Sequence, residues 1–314
     1  MRRGGDLLNA PLPLPLRRKK PRVLRSASDY VLEAVCVLLV TLFALVCVLP
    51  FIYVLCVSFM SYEEYLAHPL RVIPQTIDFT AYKKVLDYAL IRSAYGVSAA
   101  VTVGGTVLSV FLLIISAYPL SKKSLAGRRA LMSLILFTMF FNGGMIPNYI
   151  LIRTLKLNNT LGALVLPICI SSFQLILMKN FIIQSVPESL EEAAKIDGAN
   201  DLYILFRVVV PLLKPAIATM VVFSAVEYWN SYYAAMMYIT SRKLWPLTLV
   251  LRELVIDSTG DLSPVAQMLT SEARAHPFTL KMAAIIITVL PIMVIYPFMQ
   301  KHFVKGISLG SVKE

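Results

Sequence analysis

Glu227 is an acid inside a run, Pro215 to Ser241, that otherwise carries no charge. It opens the string Glu227-Tyr228-Trp229-Asn230-Ser231-Tyr232-Tyr233. Carboxylate and amide groups can bond sugar hydroxyls, and aromatic rings offer flat faces to sugar rings. A carboxylate at mid-membrane costs about 2.5–3.5 kcal/mol on insertion scales, so it faces a cavity or a partner. These residues are therefore candidates to line a polar path or cavity, for which a hydroxyl-rich ligand is one fit. Packing against a second subunit, or membership of an outer aromatic belt, accounts for them as well. Asn142 and Gln174 are further polar residues in apolar runs, and interhelical hydrogen bonds explain them equally.

A second constellation lies between residues 185 and 211. Ser185 and Glu188 have the spacing of a capping box, with Pro187 acceptable in the first turn. Leu190, Ala193 and Ala194 fall at i, i+3 and i+4, which predicts one small apolar helix face. Glu188, Glu191 and Glu192 sit in early turns, where the helix dipole favours anions. Gly198 is placed to end that helix in a left-handed cap, and Asn200 to start the next. A small-residue face on a surface helix permits close approach by another protein. The same pattern also fits an interfacial helix on lipid.

The elements that must carry these residues follow from composition. Of 314 residues, 58% are hydrophobic and 15% charged, against about 45–50% and 25% in soluble domains. Six runs lack Asp, Glu, Lys and Arg apart from Glu227: Ala34–Tyr62, Ser93–Ser121, Ala130–Ile152, Leu157–Met178, Pro215–Ser241 and Met282–Gln300. Each approaches or exceeds the ~20 residues a membrane helix needs. The expectation is an all-α membrane protein of six transmembrane helices. Domain bounds follow: a basic arm over 1–29, a six-helix membrane body over 30–300 and a tail over 301–314. Six spans place both termini on one side. Nineteen of the 30 basic residues fall on the arm, the loops around Lys122 and Lys195, and the tail. The positive-inside rule makes that set cytoplasmic. The net charge of +12 thus reads as orientation, and the Arg17-Arg18-Lys19-Lys20 run as a topogenic arm rather than a nucleic-acid grip. No cleaved leader is expected, because the first apolar run starts only after Tyr30 and is too long. Cys36, Cys47, Cys56 and Cys169 have no metal-ligand spacing and read as small buried residues.

The order Glu192-Ala193-Ala194, Gly198, then Val208-Val209-Val210-Pro211 resembles the EAA signature of bacterial ATP-binding-cassette importer permeases. Val208 and Val210 stand where that family has Ile and Leu. Ile196-Asp197-Gly198-Ala199 is similar to the sugar-importer version. Asn142-Gly143-Gly144-Met145-Ile146-Pro147, and the tail from Gln300 to Lys313, resemble the lipo-oligosaccharide and polygalacturonan branch of carbohydrate permeases. The resemblance implies a type I importer permease fold with cytoplasmic EAA coupling helices over 185–211. It implies docking of a separate ATPase at Glu191, Glu192, Ala193, Ala194, Asp197 and Gly198. It also implies sugar contact at Glu227, Tyr228, Trp229, Asn230, Tyr232, Tyr233, Asn142 and Gln174, although one subunit of such a pair can supply most contacts. The implied partners are a second related permease, two ATP-binding subunits, an extracytoplasmic sugar-binding protein and an oligosaccharide. The implied location is the bacterial cytoplasmic membrane.

No Gly-Lys dipeptide occurs in the chain, so it lacks the phosphate-cradling loop that ends in that pair. ATP and Mg are accordingly expected on the partner ATPase, with no cofactor on this chain. A self-sufficient secondary transporter or channel is the alternative, and it expects several ionisable groups inside the spans. A membrane enzyme is disfavoured, since His68, His276 and His302 lie outside the apolar runs. The loop from Arg242 to Pro277 reads as external. It is expected to hold a short helix that either meets the binding protein or packs as a lid.

Overall fold

The computed structural model describes residues 27–69, 71–256 and 277–311. The basic arm, the outer part of the 242–277 loop and the last three tail residues lie outside these. The chain divides into two units, 1–51 and 52–314. In the first, the described residues belong to helix α1 (Ala27–Ser58), and every side chain from Ser28 to Phe51 is exposed. Cys36 and Cys47 are among them, so they are not the buried residues expected.

The second unit is helical throughout its described residues. Short helices α2 (Tyr62–Ala67) and α3 (Thr80–Asp87) precede α4 (Ala89–Ser121), the helix around which the others pack. α5 (Arg128–Phe140) and α6 (Met145–Thr154) follow, then α7 (Gly162–Val165) with a 3-10 turn, and α8 (Ser172–Ser185). α9 (Glu188–Ile196) and α10 (Asp201–Tyr203) lead through a π turn at Ile204–Val209 into α11 (Val210–Leu212) and α12 (Lys214–Trp229). α13 (Tyr232–Tyr238), α14 (Leu247–Ile256) and α15 (Pro277–Ser311) complete the order.

Among the described residues three helices are long and apolar enough to cross a membrane: α1, α4 and α15. The remaining apolar runs are broken, so the expected six spans are reached only with each bent pair taken as one. α5 and α6 bend by 113° about the Asn142-Gly143-Gly144 turn. There Gly144 takes φ +87°, and its N–H donates to Asn142 Oδ1 at 2.9 Å. The fourth run opens in a turn, with Lys156 and Asn159 both left-handed, and bends by 53° between the 3-10 turn and α8. The expected fifth span stops at Trp229, where Asn230 and Ser231 separate α12 from α13. At its other end α12 meets the Asp201–Leu212 segment at 84°. With 16 residues, α12 alone rises about 24 Å, short of the ~30 Å hydrocarbon core. α15 continues unbroken past Gln300 to Ser311.

α4 makes the core. Its C-terminal half packs Leu113, Ala117 and Tyr118 against Met178 and Ile182 of α8, and against Ile204, Leu205 and Val209 of the π turn. Its N-terminal half meets α12, α14 and α15 through Ile91, Ala94 and Val101. α14 is the short helix expected in the last loop. Leu247, Leu249, Val250 and Leu254 are buried, so it packs on the bundle.

Candidate functional site: a coupling loop and a polar seam

The 185–211 segment forms as short helices, but not with the cap expected. Ser185 is the last residue of α8, and Pro187 caps α9 without a side-chain bond. The capping box from Ser185 to Glu188 therefore does not exist. The reason is that α8 runs two residues too far for Ser185 to take the extended conformation of a cap. The other end follows the sequence. Gly198 has φ +83°, its N–H reaches Lys195 O at 3.0 Å, and Ala199 N–H reaches Ala194 O at 3.0 Å. These are the two bonds of a Schellman cap. Asn200 then starts α10, with its side chain accepting from Tyr203 N–H at 2.8 Å. The π turn lies immediately before Pro211, whose missing N–H cannot sustain the regular ladder.

The six residues expected to meet an ATPase divide by burial. Glu192, Ala193, Asp197 and Gly198 are exposed and Ala194 is half-buried. Glu191 turns inward instead and is 8% exposed. It forms an ion pair with Lys122, at the end of α4, and accepts from Tyr118 Oη at 3.4 Å. The Lys122 ammonium also lies 4.4 Å from the centre of the Tyr118 ring. Lys122 had read from sequence as a topogenic charge. The i, i+4 spacing of Tyr118 and Lys122 on one helix face was the available signal. Near Gly198 in sequence, Ile196 is 87% exposed, and Leu190, Leu202, Tyr203 and Phe206 are exposed with it, interleaved with the exposed polar residues Glu192, Lys195, Asp197, Asn200 and Asp201. Five large exposed apolar side chains on one segment mark a surface that a partner or lipid covers.

The second site is a polar seam between α8 and α12. A separate pair, Thr138 Oγ1 and Ser172 Oγ, lies 3.0 Å apart between α5 and α8. Ser224 Oγ donates to Gln174 Oε1 at 3.0 Å, and Gln174 Nε2 donates to Glu227 Oε2 at 3.2 Å. Gln174 is buried and uses both ends of its amide, whereas Glu227 is exposed. The structure thus brings Gln174 and Glu227 together. It adds Ser224 and, apart from the seam, Thr138 and Ser172, which the sequence reading missed because isolated hydroxyls in apolar runs carry no spacing signal.

Two of the expected sugar-facing aromatics point into the bundle. Tyr228 is 2% exposed. Its hydroxyl is 2.8 Å from Ser109 Oγ and donates to Val165 O at 3.2 Å. Trp229 is also buried, with Nε1 donating to Thr288 O at 3.1 Å. Their polar atoms are used within the chain, so both act as packing residues that join α12 to its neighbours. Asn230 is exposed and donates to Val226 O at 2.9 Å, ending α12. Tyr232 and Tyr233 are exposed on α13, and Asn142 is exposed in the α5–α6 turn. Among the described residues, none of these three hydrogen-bonds the Gln174–Glu227 pair.

The arrangement is thus a bundle of bent apolar helices, a Gly-terminated helix with exposed apolar side chains on either side of it in sequence, and an acid held inside a span. The family model described as "Binding-protein-dependent transport system inner membrane component" matches residues 22–309. The chain belongs to that family. It is 46% identical, over 87% of its length and 94% of the relative's, to the polygalacturonan/rhamnogalacturonan transport system permease protein YtcP of Bacillus subtilis (strain 168). It is 41% identical to Protein LplC of the same organism, over 85% of its length and 89% of that protein's. Among solved structures it matches a chain from a bacterial ABC transporter involved in the import of the acidic polysaccharide alginate. The TM-score is 0.82 at 34% identity, covering 89% of this chain and 99% of the other. A match of that coverage gives this permease-family chain the all-helical fold of an ABC importer's membrane component. It is a membrane-integral translocation subunit.

Proposed function

We propose that the chain is one of two related permease subunits in an ATP-driven oligosaccharide importer of the bacterial cytoplasmic membrane. The observation that carries this is α9 with its cap: a short helix ended by a left-handed glycine, with exposed apolar side chains on either side of it in sequence, in a chain of the importer permease family. In this reading residues 188–211 are the coupling helices. Glu192, Ala193, Ala194, Asp197 and Gly198 touch a separate ATPase, and Glu191 holds the helix from behind. Two ATPase chains bind ATP and Mg, and this chain binds no cofactor of its own. Both termini are cytoplasmic, the arm and tail flank the permease body, and a sugar-binding protein delivers cargo from outside. Glu227 and Gln174 line the path shared with the second permease, with Asn142, Asn230, Tyr232 and Tyr233 as the remaining polar and aromatic candidates. Two relatives are named for polygalacturonan and alginate, so oligosaccharides of uronic acids head the panel of cargoes to try.

The test is copurification followed by transport. A tagged chain expressed with its neighbours is expected to bring down an ATPase and a second permease. Proteoliposomes holding that assembly should take up oligosaccharide only with ATP and binding protein present. Transport by the purified chain alone, with no ATPase retained, would overturn the reading.

Glu227 gives a narrower prediction. Hydrogen bonds to a charged group contribute about 1.5–3 kcal/mol, so Glu227→Ala is expected to lower uptake roughly tenfold or more. ATPase copurification should not change, because the seam is remote from α9. Uptake at the unaltered level by a well-expressed Glu227→Ala chain removes the carboxylate from the path.

A further inference from the structure

The bonds that tie α4 to the rest of the bundle are spread along its whole length. At its C-terminal end Lys122 and Tyr118 hold Glu191 of α9. In the middle, Ser109 meets the Tyr228 hydroxyl, and Gly105 lets the same ring lie directly on the helix. Near its N-terminal end, Ser98 Oγ accepts from Leu247 N–H, the first residue of α14, at 2.8 Å. One unbroken helix of 33 residues thus touches the coupling helix, the broken fifth span and the helix of the last loop. The three elements these bonds reach, α9, α12 and α14, are short or bent, whereas α4 is neither. Coupling between distant sites is carried by rigid elements and contiguous bonded contacts of this kind.

We propose that α4 is the lever between the ATPase side and the outer face, and that the Glu191–Lys122–Tyr118 cluster is the clamp tying it to α9. This rests on the importer reading above. Glu191 is then a positioning residue that faces inward, while Glu192 beside it faces the partner. The clamp differs from the neighbouring ion pairs. Lys123–Glu188 and Lys195–Asp201 are solvent-exposed on both sides, and exposed pairs hold little. The Glu191 carboxylate is buried, and its ammonium partner is seated on an aromatic ring that is itself in the core. Motion of α9 therefore moves the end of α4 rather than sliding past it.

The experiment uses the full complex in proteoliposomes and compares ATP hydrolysis with and without sugar-loaded binding protein. Lys122→Met is expected to leave assembly and unstimulated hydrolysis in place. Stimulation by the binding protein should fall about fivefold or more, the lower bound for a typical coupling between sites. Sugar moved per ATP should fall with it. The reciprocal pair Lys122→Glu with Glu191→Lys should recover stimulation, because it rebuilds the clamp with the charges exchanged. Stimulation at the unaltered level in an assembled Lys122→Met complex overturns the proposal. So does an equal fall of stimulated and unstimulated hydrolysis, which marks a purely structural contact. Where Lys122→Met fails to assemble, the reciprocal pair decides. Assembly with stimulation supports the lever, and assembly without it, or no assembly, overturns it. Absence of any ATPase from the unaltered complex would instead sink the importer reading.

Discussion

Gly198→Trp is expected to leave the chain in the membrane and to abolish both uptake and ATPase copurification. Two effects act at this position. The backbone is left-handed, at φ +83°, and a side chain there costs about 1–2 kcal/mol. A carbon added at Gly198 meets nothing within 4 Å in this chain, so a larger group projects outward, toward whatever covers Ile196 and Leu202. The strain is local to a surface cap and too small to unfold the bundle. The projection is what defeats docking. The two effects predict opposite orders for smaller substitutions. Asn tolerates the left-handed region better than Ala, so strain alone ranks Gly198→Asn above Gly198→Ala. Exclusion from an interface ranks Ala above Asn, and that order is expected. Uptake assays beside quantitative copurification read both. Normal uptake by a well-expressed Gly198→Trp chain would sink the docking assignment.

Gly105→Ala is the second large effect. An added carbon at Gly105 would lie 2.6 Å from the Tyr228 ring. That ring has nowhere to go, since it is buried and its hydroxyl is held by Ser109 and Val165. Forcing one methyl group into a filled contact costs about 1–3 kcal/mol, and α4 and α12 must separate. The melting temperature in detergent should fall and uptake with it. Gly104→Ala is the matched control, because its added carbon meets nothing within 4 Å. Equal melting temperatures for the two variants would show that the Tyr228 contact does not hold these helices together.

Much of the site was legible from residue types alone. Gly198 as a left-handed terminator and Asn200 as the next cap are both local properties of the backbone, and the structure forms both. The Ser185 capping box was not legible correctly, because whether a serine caps one helix or ends another depends on where the preceding helix stops. Tyr228 and Trp229 show a different failure. Composition marks an aromatic residue as suited to a sugar face, yet α12 turns these two inward, and a single chain of letters does not contain that rotation. Glu191 and Lys122 lie 69 positions apart, too far for any spacing rule.

The sequence by itself determined the medium and the glycine-ended turn of the 185–211 loop. Hydropathy sums along the chain and glycine's freedom is local, so neither needs the fold. The tertiary structure alone decided which apolar runs are single helices, since a charge-free run reports transfer energy and not backbone dihedrals. It also decided which acid of the coupling helix faces inward. Adjacent residues on a helix point about 100° apart, and only the packing of α9 against α4 chose Glu191 for Lys122 and left Glu192 to the surface.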